Sequence, residues 1–232
     1  DSLVAKNMFR EVTAVVPSIT SYVEAKKKLP VPVLPNQPEW LEMYWRAWEL
    51  AWLHLKRPLN ISGFLSVYLG SAYNEHLFMW NTAFMSQFLV YGRRAVEATG
   101  GLNNLYAKQK NDGFICREIN EQGANMYHPF DPNSTGPNIL GWAEWRLFRT
   151  TGDVERLKQV FWPLLALHRW NKAHRTWRNG LYWATGVSSG LTNQPRIPNG
   201  QTYHQHAIWV DACMQAVLNC QLLEKIARVL EE

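Results

Sequence analysis

Tryptophan is abundant in this chain, and several of its twelve tryptophans lie outside any apolar helical stripe. A flat aromatic face stacks on the apolar face of a sugar ring, while carboxylates and amides bind the hydroxyls. Tryptophans in polar loops are therefore typical of a carbohydrate-binding cleft. For any single tryptophan, packing in a large helical core is the favoured interpretation. The candidates outside the stripes are Trp80, Trp162, Trp177, Trp183 and Trp209.

One loop concentrates polar side chains: Ser188-Ser189-Gly190-Leu191-Thr192-Asn193-Gln194-Pro195-Arg196. The guanidinium fork of Arg196 suits hydroxyl or carboxylate recognition. Three carboxylates elsewhere could also face a cleft. Asp211 fits a pocket ligand and a helix cap equally well. Glu118 lies in a polar stretch, and Glu144 lies in a helical pattern, where a glutamate is typically a solvated surface residue.

Composition and charge exclude other classes of function. The net charge of +5 comes from 24 Lys+Arg against 19 Asp+Glu, without a basic stripe interleaved with aromatics, so we expect no nucleic-acid partner. No apolar run approaches the roughly 20 residues of a membrane span, so we expect no membrane insertion. Three scattered cysteines and one close histidine pair, His204 and His206, predict no metal site, and we expect no cofactor. The compartment stays open.

Apolar residues at steps of three and four predict a chain built from helices. The predicted helices cover residues 40–56, 82–98, 138–151, 154–174 and 207–230. No segment shows a convincing strand alternation, so the predicted fold class is all-α. Helical hairpins joined by long polar loops, at 57–63, 111–137 and 176–205, favour an α/α toroid or bundle.

The same steps predict which side chains are buried. Helix 82–98 is expected to bury Phe84, Phe88 and Tyr91. Helix 207–230 is expected to bury Cys213 and Cys220, which makes both cysteines core residues.

Glycine, aspartate and proline predict the helix ends. Gly100-Gly101 is expected to end helix 82–98, and Gly152 to end helix 138–151. Asp153 can cap helix 154–174, which Pro163 is expected to kink or restart.

A proline-rich stretch divides the chain. Residues 29–38 hold four prolines and are predicted to be an extended linker. We therefore predict an N-terminal helical arm with its linker over residues 1–38, and a main domain over residues 39–232.

Loop 188–196 resembles the active-site motif of the six-hairpin α/α-barrel glycosidases, in which Ser-Gly-hydrophobic-Asp is followed by Arg. Among these enzymes are trehalases, processing α-glucosidases and, most similar, mannosylglycerate-hydrolase-like enzymes. Further segments resemble the family's Trp-Asp segment, a hydroxyl-binding loop, and a helix with its turn. They are residues 78–85, 112–118, 134–143 and 151–153, and the resemblance covers most of residues 40–230.

The resemblance implies a partial barrel. The family's closed barrel has about twelve helices in a chain about twice as long, whereas this sequence shows about six long helices. We therefore expect an α/α-hairpin toroid that resembles the N-terminal half of a six-hairpin barrel. A half toroid exposes apolar edges, so a second chain or a second copy is expected to complete it.

Two departures from the family pattern concern catalysis. Thr192 occupies the position of the family's general-acid aspartate, and Asn81 that of its subsite aspartate. A threonine hydroxyl cannot act as a general acid near neutral pH. An asparagine still binds hydroxyls but removes a charge that favours an oxocarbenium-like transition state. The sugar ligands implied by the resemblance are Trp80, Asn81, Arg117, Glu118, Trp183, Asn193, Arg196 and Trp209.

Three functional hypotheses follow. The first is a carbohydrate-binding, glycosidase-like domain whose hydrolysis is impaired by Thr192. The second is an active O-glycosidase that cleaves α-glycosides with Glu118 or Asp211 as a replacement acid and a base from outside this chain. The third is a scaffold or assembly subunit.

Overall fold

The computed structural model describes residues 3–12, 18–191 and 206–232. Its α-helices are α1 (Tyr22–Lys26), α2 (Pro38–Leu53), α3 (Met79–Leu89), α4 (Gly100–Ala107), α5 (Leu140–Thr151), α6 (Val154–His174) and α7 (Val210–Leu230). Short 3-10 helices cover Leu3–Lys6, Met8–Arg10 and Val90–Gly92. None of the described helices is both long and apolar enough to cross a bilayer. The all-α prediction is confirmed.

Strands within the described ranges are two residues long and pair antiparallel. They are β1 (Leu55–Lys56) with β2 (Tyr68–Leu69), β3 (Leu77–Phe78) with β4 (Glu118–Ile119), and β5 (Trp183–Ala184) with β6 (Ala207–Ile208). Each of these short pairs joins two segments that lie next to helices or loops, and the pairs do not form a separate layer.

The helices pack as successive hairpins. Helix α3 contacts α4 and α5, α5 contacts α6 and α7, and α6 contacts α7. Helices α3, α5 and α7 therefore lie side by side, which is the arrangement of an α/α toroid fragment. Their shared core contains fully buried Leu102, Leu140, Leu157 and Ile226.

Helices α5 and α6 follow the sequence prediction closely. Helix α5 ends at Gly152 in the left-handed conformation, with φ of 70°, and the side chain of Asp153 accepts a hydrogen bond from the Arg156 N–H at 2.9 Å. Helix α6 runs through Pro163 without a break, so of the two predicted effects, a kink or a restart, the restart does not occur.

Helix α3 buries a different face from the predicted one. Phe84, Phe88 and Tyr91 are between 41% and 62% exposed, while small and polar residues such as Thr82 face the core. Small side chains allow close helix approach: a Cβ atom on Gly101 would lie 2.7 Å from the Thr82 methyl group. Gly100-Gly101 begins α4 instead of ending α3, because α3 already ends at Leu89 and a 3-10 helix follows at Val90–Gly92.

Helix α7 also differs from its prediction. Cys220 is exposed and Cys213 half-buried, whereas Asn219, Leu222 and Ile226 face the core. The polar Asn219 on the buried face breaks the apolar period, so the sequence pattern indicated a stripe displaced around the helix. The prediction that both cysteines are core residues is wrong.

The N-terminal arm packs onto the body. The Asn7 side-chain amide donates to the Tyr106 carbonyl at 3.0 Å and to the Gln109 side-chain oxygen at 2.9 Å. Phe9 joins the main core, and the Trp52 indole N–H donates to the Thr20 carbonyl at 2.7 Å. The described part of the arm is therefore fixed to helices α2 and α4.

A buried ion pair joins α5 to α6. Glu144, which is fully buried, accepts hydrogen bonds from Arg156 Nη2 at 2.7 Å and Nε at 3.0 Å, and from the Tyr106 hydroxyl at 3.0 Å. Burial and the nearby carboxylate raise the pKa of Tyr106 well above its usual value. Glu144 is thus neither the solvated surface residue that the sequence indicated nor a cleft residue.

We expect Glu144→Gln to lower the free energy of unfolding by about 3–5 kcal/mol, because it leaves the Arg156 charge buried without a counter-charge. Urea unfolding followed by tryptophan fluorescence measures the change. The matched control is Glu155→Gln, which removes an exposed ion pair with Lys158 and should cost less than about 1 kcal/mol. Equal effects of the two substitutions would contradict the structural importance of the buried pair.

Candidate functional site

The family-like segments converge around Pro137. Gly190 has a φ of 74°, which suits glycine, and a Cβ atom there would lie 2.9 Å from Pro137 Cγ and 3.6 Å from a Trp80 ring carbon. The serine-glycine motif thus brings loop 188–191 against both residues. A larger side chain at position 190 would push these segments apart.

Backbone hydrogen bonds join the remaining segments to this point. Phe78 pairs with Glu118 across β3 and β4, and the Met79 N–H donates to the Arg117 carbonyl at 2.9 Å. The Arg117 N–H in turn donates to the Ser134 carbonyl at 2.9 Å. The start of α3, loop 112–118 and loop 134–138 are therefore held in one cluster.

Next to Pro137 lies a cavity that we name the α6–α7 cavity. Its walls come from loop 135–138, the last turns of α6 with His168 and Arg175, strand β5 with Trp183, and the start of α7 with Asp211. Its volume is about 50 Å³. Ordinary ligand pockets measure roughly 300–1,000 Å³, so the described residues alone do not enclose a ligand.

Asp211 and Trp209 reach this cavity from the start of α7. Trp209, which is buried, is the N-cap residue, and Asp211 lies in the first turn, where the helix dipole favours a negative charge. Asp211 therefore does not occupy the cap position that the sequence allowed. It is the one carboxylate among the described residues that line the cavity.

Arg175 lines the cavity and holds loop 129–135 in place. Its Nη2 donates to the carbonyls of Pro129 and Asp131 at 2.9 and 3.1 Å and to the Ser134 hydroxyl at 2.8 Å, and its Nε donates to the Thr135 hydroxyl at 3.1 Å. Burial lowers the pKa of Arg175 to about 10.

The guanidinium of Arg175 also lies between two indole rings. Its Cζ is 4.7 Å from the Trp170 ring and 4.9 Å from the Trp183 ring. The planar guanidinium of Arg175 thus orients both loop 129–135 and Trp183.

His168 is the second cavity residue that sequence reasoning missed. Burial, with Lys172 and Arg169 nearby, lowers the pKa of this imidazole. Its Nε2 lies 3.4 Å from the Cys220 sulfur and its Nδ1 lies 3.2 Å from the Asn219 side-chain nitrogen. The neutral imidazole therefore links α6 to α7 beside the cavity.

Glu118 and Arg117 lie outside the cavity lining. One Glu118 oxygen is 2.7 Å from His76 Nδ1, and the other accepts from Arg117 Nη2 at 3.4 Å. Arg117 also donates to the Asn133 carbonyl and to the Tyr127 hydroxyl, both at 2.9 Å. Glu118 thus bridges two basic groups, and the structure does not place it on the same cavity as Asp211.

Trp80 and Asn81 lie at the start of α3 and are half-buried. The ring centroids of Trp80 and Phe84 are 5.0 Å apart, and those of Phe84 and Trp142 are 5.3 Å apart, so the three rings form an aromatic row. The Asn81 amide donates to the Ser71 hydroxyl at 3.1 Å. Trp80 borders the cluster around Pro137, whereas Asn81 is not a lining residue of the cavity.

Three predicted site residues, Thr192, Asn193 and Arg196, lie outside the described residues, as does His204. No cluster of three or more His, Cys, Asp or Glu side chains in the described ranges could hold a metal ion. A sequence pattern could have identified Arg175: it is an arginine at the end of a helix, directly before a turn that contains tryptophans. His168 lies within the helical pattern of α6, where sequence spacing does not indicate a position at a cavity.

Comparison with known proteins identifies the family. The model of the mannosylglycerate hydrolase MGH1-like glycoside hydrolase domain matches residues 76–225, which is about two thirds of the chain. A protein of Borreliella burgdorferi described as uncharacterized is 25% identical over 147 residues, or 63% of this chain and 30% of that relative. The chain thus spans under a third of the relative's length. The family predicted from the motifs is confirmed.

We expect Arg175→Lys to lower the free energy of unfolding by about 2–6 kcal/mol. A lysine ammonium cannot reach both sides of the loop, so at least two buried oxygens lose their donors, at about 1–3 kcal/mol each. Thermal or urea unfolding tests this, with Arg178→Lys as the matched control because Arg178 is exposed three residues later. A loss below about 0.5 kcal/mol would show that Arg175 does not fix the loop.

Proposed function

The chain belongs to the mannosylglycerate hydrolase MGH1-like glycoside hydrolase family, and we propose that it binds a carbohydrate at the α6–α7 cavity while its hydrolytic step is impaired. The observation that carries the proposal is the lining of this cavity. Two family-like segments, at 135–138 and 188–189, border it, and an aspartate, two tryptophans and an oriented arginine line it with them. A carboxylate binds sugar hydroxyls strongly, and indole rings cover the apolar face of a sugar ring.

The proposed impairment rests on residue chemistry. Thr192 occupies the position of the family's general acid, and its hydroxyl cannot donate a proton as an acid near neutral pH. Asp211 is alone as a carboxylate among the described cavity residues, whereas inverting glycosidases need two carboxyl groups roughly 6.5–9.5 Å apart. Binding tolerates such a loss better than catalysis does, because binding does not require proton transfer.

Calorimetric titration with α-linked disaccharides and glycosylglycerates tests the binding. We expect a saturable signal that Asp211→Asn weakens by about 10- to 150-fold, since a hydrogen bond to a charged group contributes about 1.5–3 kcal/mol. The matched control is Glu224→Gln, an exposed acid on the same helix, which should bind as the wild type does. No heat with any of these sugars would contradict the proposal and favour the scaffold hypothesis.

The active O-glycosidase is the second candidate, and release of free sugar from the same compounds distinguishes it. We expect no release from this chain alone. Release that Asp211→Asn or Glu118→Gln abolishes would identify a replacement acid and contradict the proposed impairment.

We further propose that a second copy of this chain covers the outward faces of α3 and α7. Phe88 on α3 and Tyr91 in the 3-10 helix that follows α3 line, with Trp48, a groove of about 790 Å³. On α7, Val217 and Met214 are 59% and 66% exposed. A face this apolar is typical of an interface. The resemblance to a twelve-helix barrel implies that further helices cover such a surface in the complete fold.

Light scattering on the purified chain tests this proposal. We expect a particle of about twice 26.9 kDa. Val217→Glu should shift it to the monomer because it would place a charge in the apolar contact, whereas Ile61→Glu, at a 76% exposed position in loop 57–63, should not. A monomer at every concentration would contradict self-association.

A further inference from the structure

Beside the α6–α7 cavity, three aromatic rings form a cluster that extends away from it. The ring centroids of Trp183 and His206 are 4.4 Å apart, those of Trp177 and Trp183 are 6.5 Å apart, and those of Trp177 and His206 are 6.3 Å apart. Trp183 lines the cavity, whereas Trp177 and His206 do not. The cluster therefore joins the cavity to the outer surface.

A tight turn holds Trp177 in this position. The Trp177 N–H donates to the Leu181 carbonyl at 2.9 Å, and the Gly180 N–H donates to the Trp177 carbonyl at 2.8 Å. Gly180 has a φ of 81°, which glycine adopts without strain. Thr176 and Tyr182 close the turn as a bridge, so the indole projects from a fixed backbone.

The two tryptophans differ in the ring surface that they leave open. Trp183 lies against the Arg175 guanidinium and the His206 ring, and it is half-buried. Trp177 is 45% exposed, an unusual position for the largest side chain. The ring surface available for stacking is therefore found mainly on Trp177.

We propose that Trp177 and His206 form an outer carbohydrate subsite, which stacks a second sugar ring while the first ring lies at the α6–α7 cavity. Arg178 and Asn179, both exposed in the same turn, supply hydrogen bonds to hydroxyls. This inference rests on the proposed function and narrows the ligand to a disaccharide or longer glycan. An exposed indole with adjacent polar groups fits such a ring because its face is apolar and its edge is polar.

Titration with a length series of one sugar tests the subsite. The series consists of an α-methyl glycoside, the α-linked disaccharide and the trisaccharide of the sugar that the wild-type chain binds best. We expect the disaccharide to bind more tightly than the methyl glycoside, and Trp177→Ala to weaken the disaccharide about two- to tenfold while leaving the methyl glycoside unchanged. The matched control is Trp40→Ala, because Trp40 is 54% exposed on α2 and should affect neither ligand.

The outcomes separate this inference from the proposed function. If the wild-type chain binds no sugar of any length, both fail. If sugars bind but length has no effect, or Trp177→Ala binds every ligand as the wild type does, the outer subsite alone is wrong. If Trp177→Ala weakens the methyl glycoside as much as the disaccharide, Trp177 contacts the first ring and the outer subsite is again wrong.

Discussion

The ion pair between Glu144 and Arg156 is the interaction on which the position of the site depends. It lies where α5 and α6 meet, and Tyr106 from α4 completes its hydrogen bonds. A buried pair adds little stability over an apolar core, but either charge alone would be costly. The pair therefore favours one arrangement of α5 against α6. Loop 135–138 precedes α5 and Arg175 follows α6, so this arrangement also sets the walls of the α6–α7 cavity.

Local signals made part of the fold predictable. The end of α5 follows from Gly152 and the start of α6 from Asp153, because the conformations of both residues depend only on their neighbours. The buried faces of α3 and α7 could not be read in the same way. Thr82 and Asn219 lie inside because small or hydrogen-bonded residues are needed where helices approach closely, while aromatic and aliphatic side chains lie outside. Apolar periodicity shows which face of a helix is apolar, and in these two helices the packed face coincides with it only in part.

The site was predictable only as a set of segments. Motif resemblance identified the segments that meet at Pro137, because Gly190 and Gly136 have the backbone freedom or space that such close approach requires. The resemblance did not identify Arg175 or His168, whose roles depend on burial and on partners distant in sequence. It also grouped Glu118 with the sugar ligands, and the structure holds this carboxylate between His76 and Arg117, outside the lining of the α6–α7 cavity.

A crystal structure of the chain with a bound α-linked disaccharide tests whether a sugar ring binds at the α6–α7 cavity. We expect one ring against loop 135–138 with its hydroxyls on Asp211, and the second ring beside Trp177. A complex in which the sugar lies elsewhere, with the cavity empty at a concentration that saturates binding in solution, would contradict it.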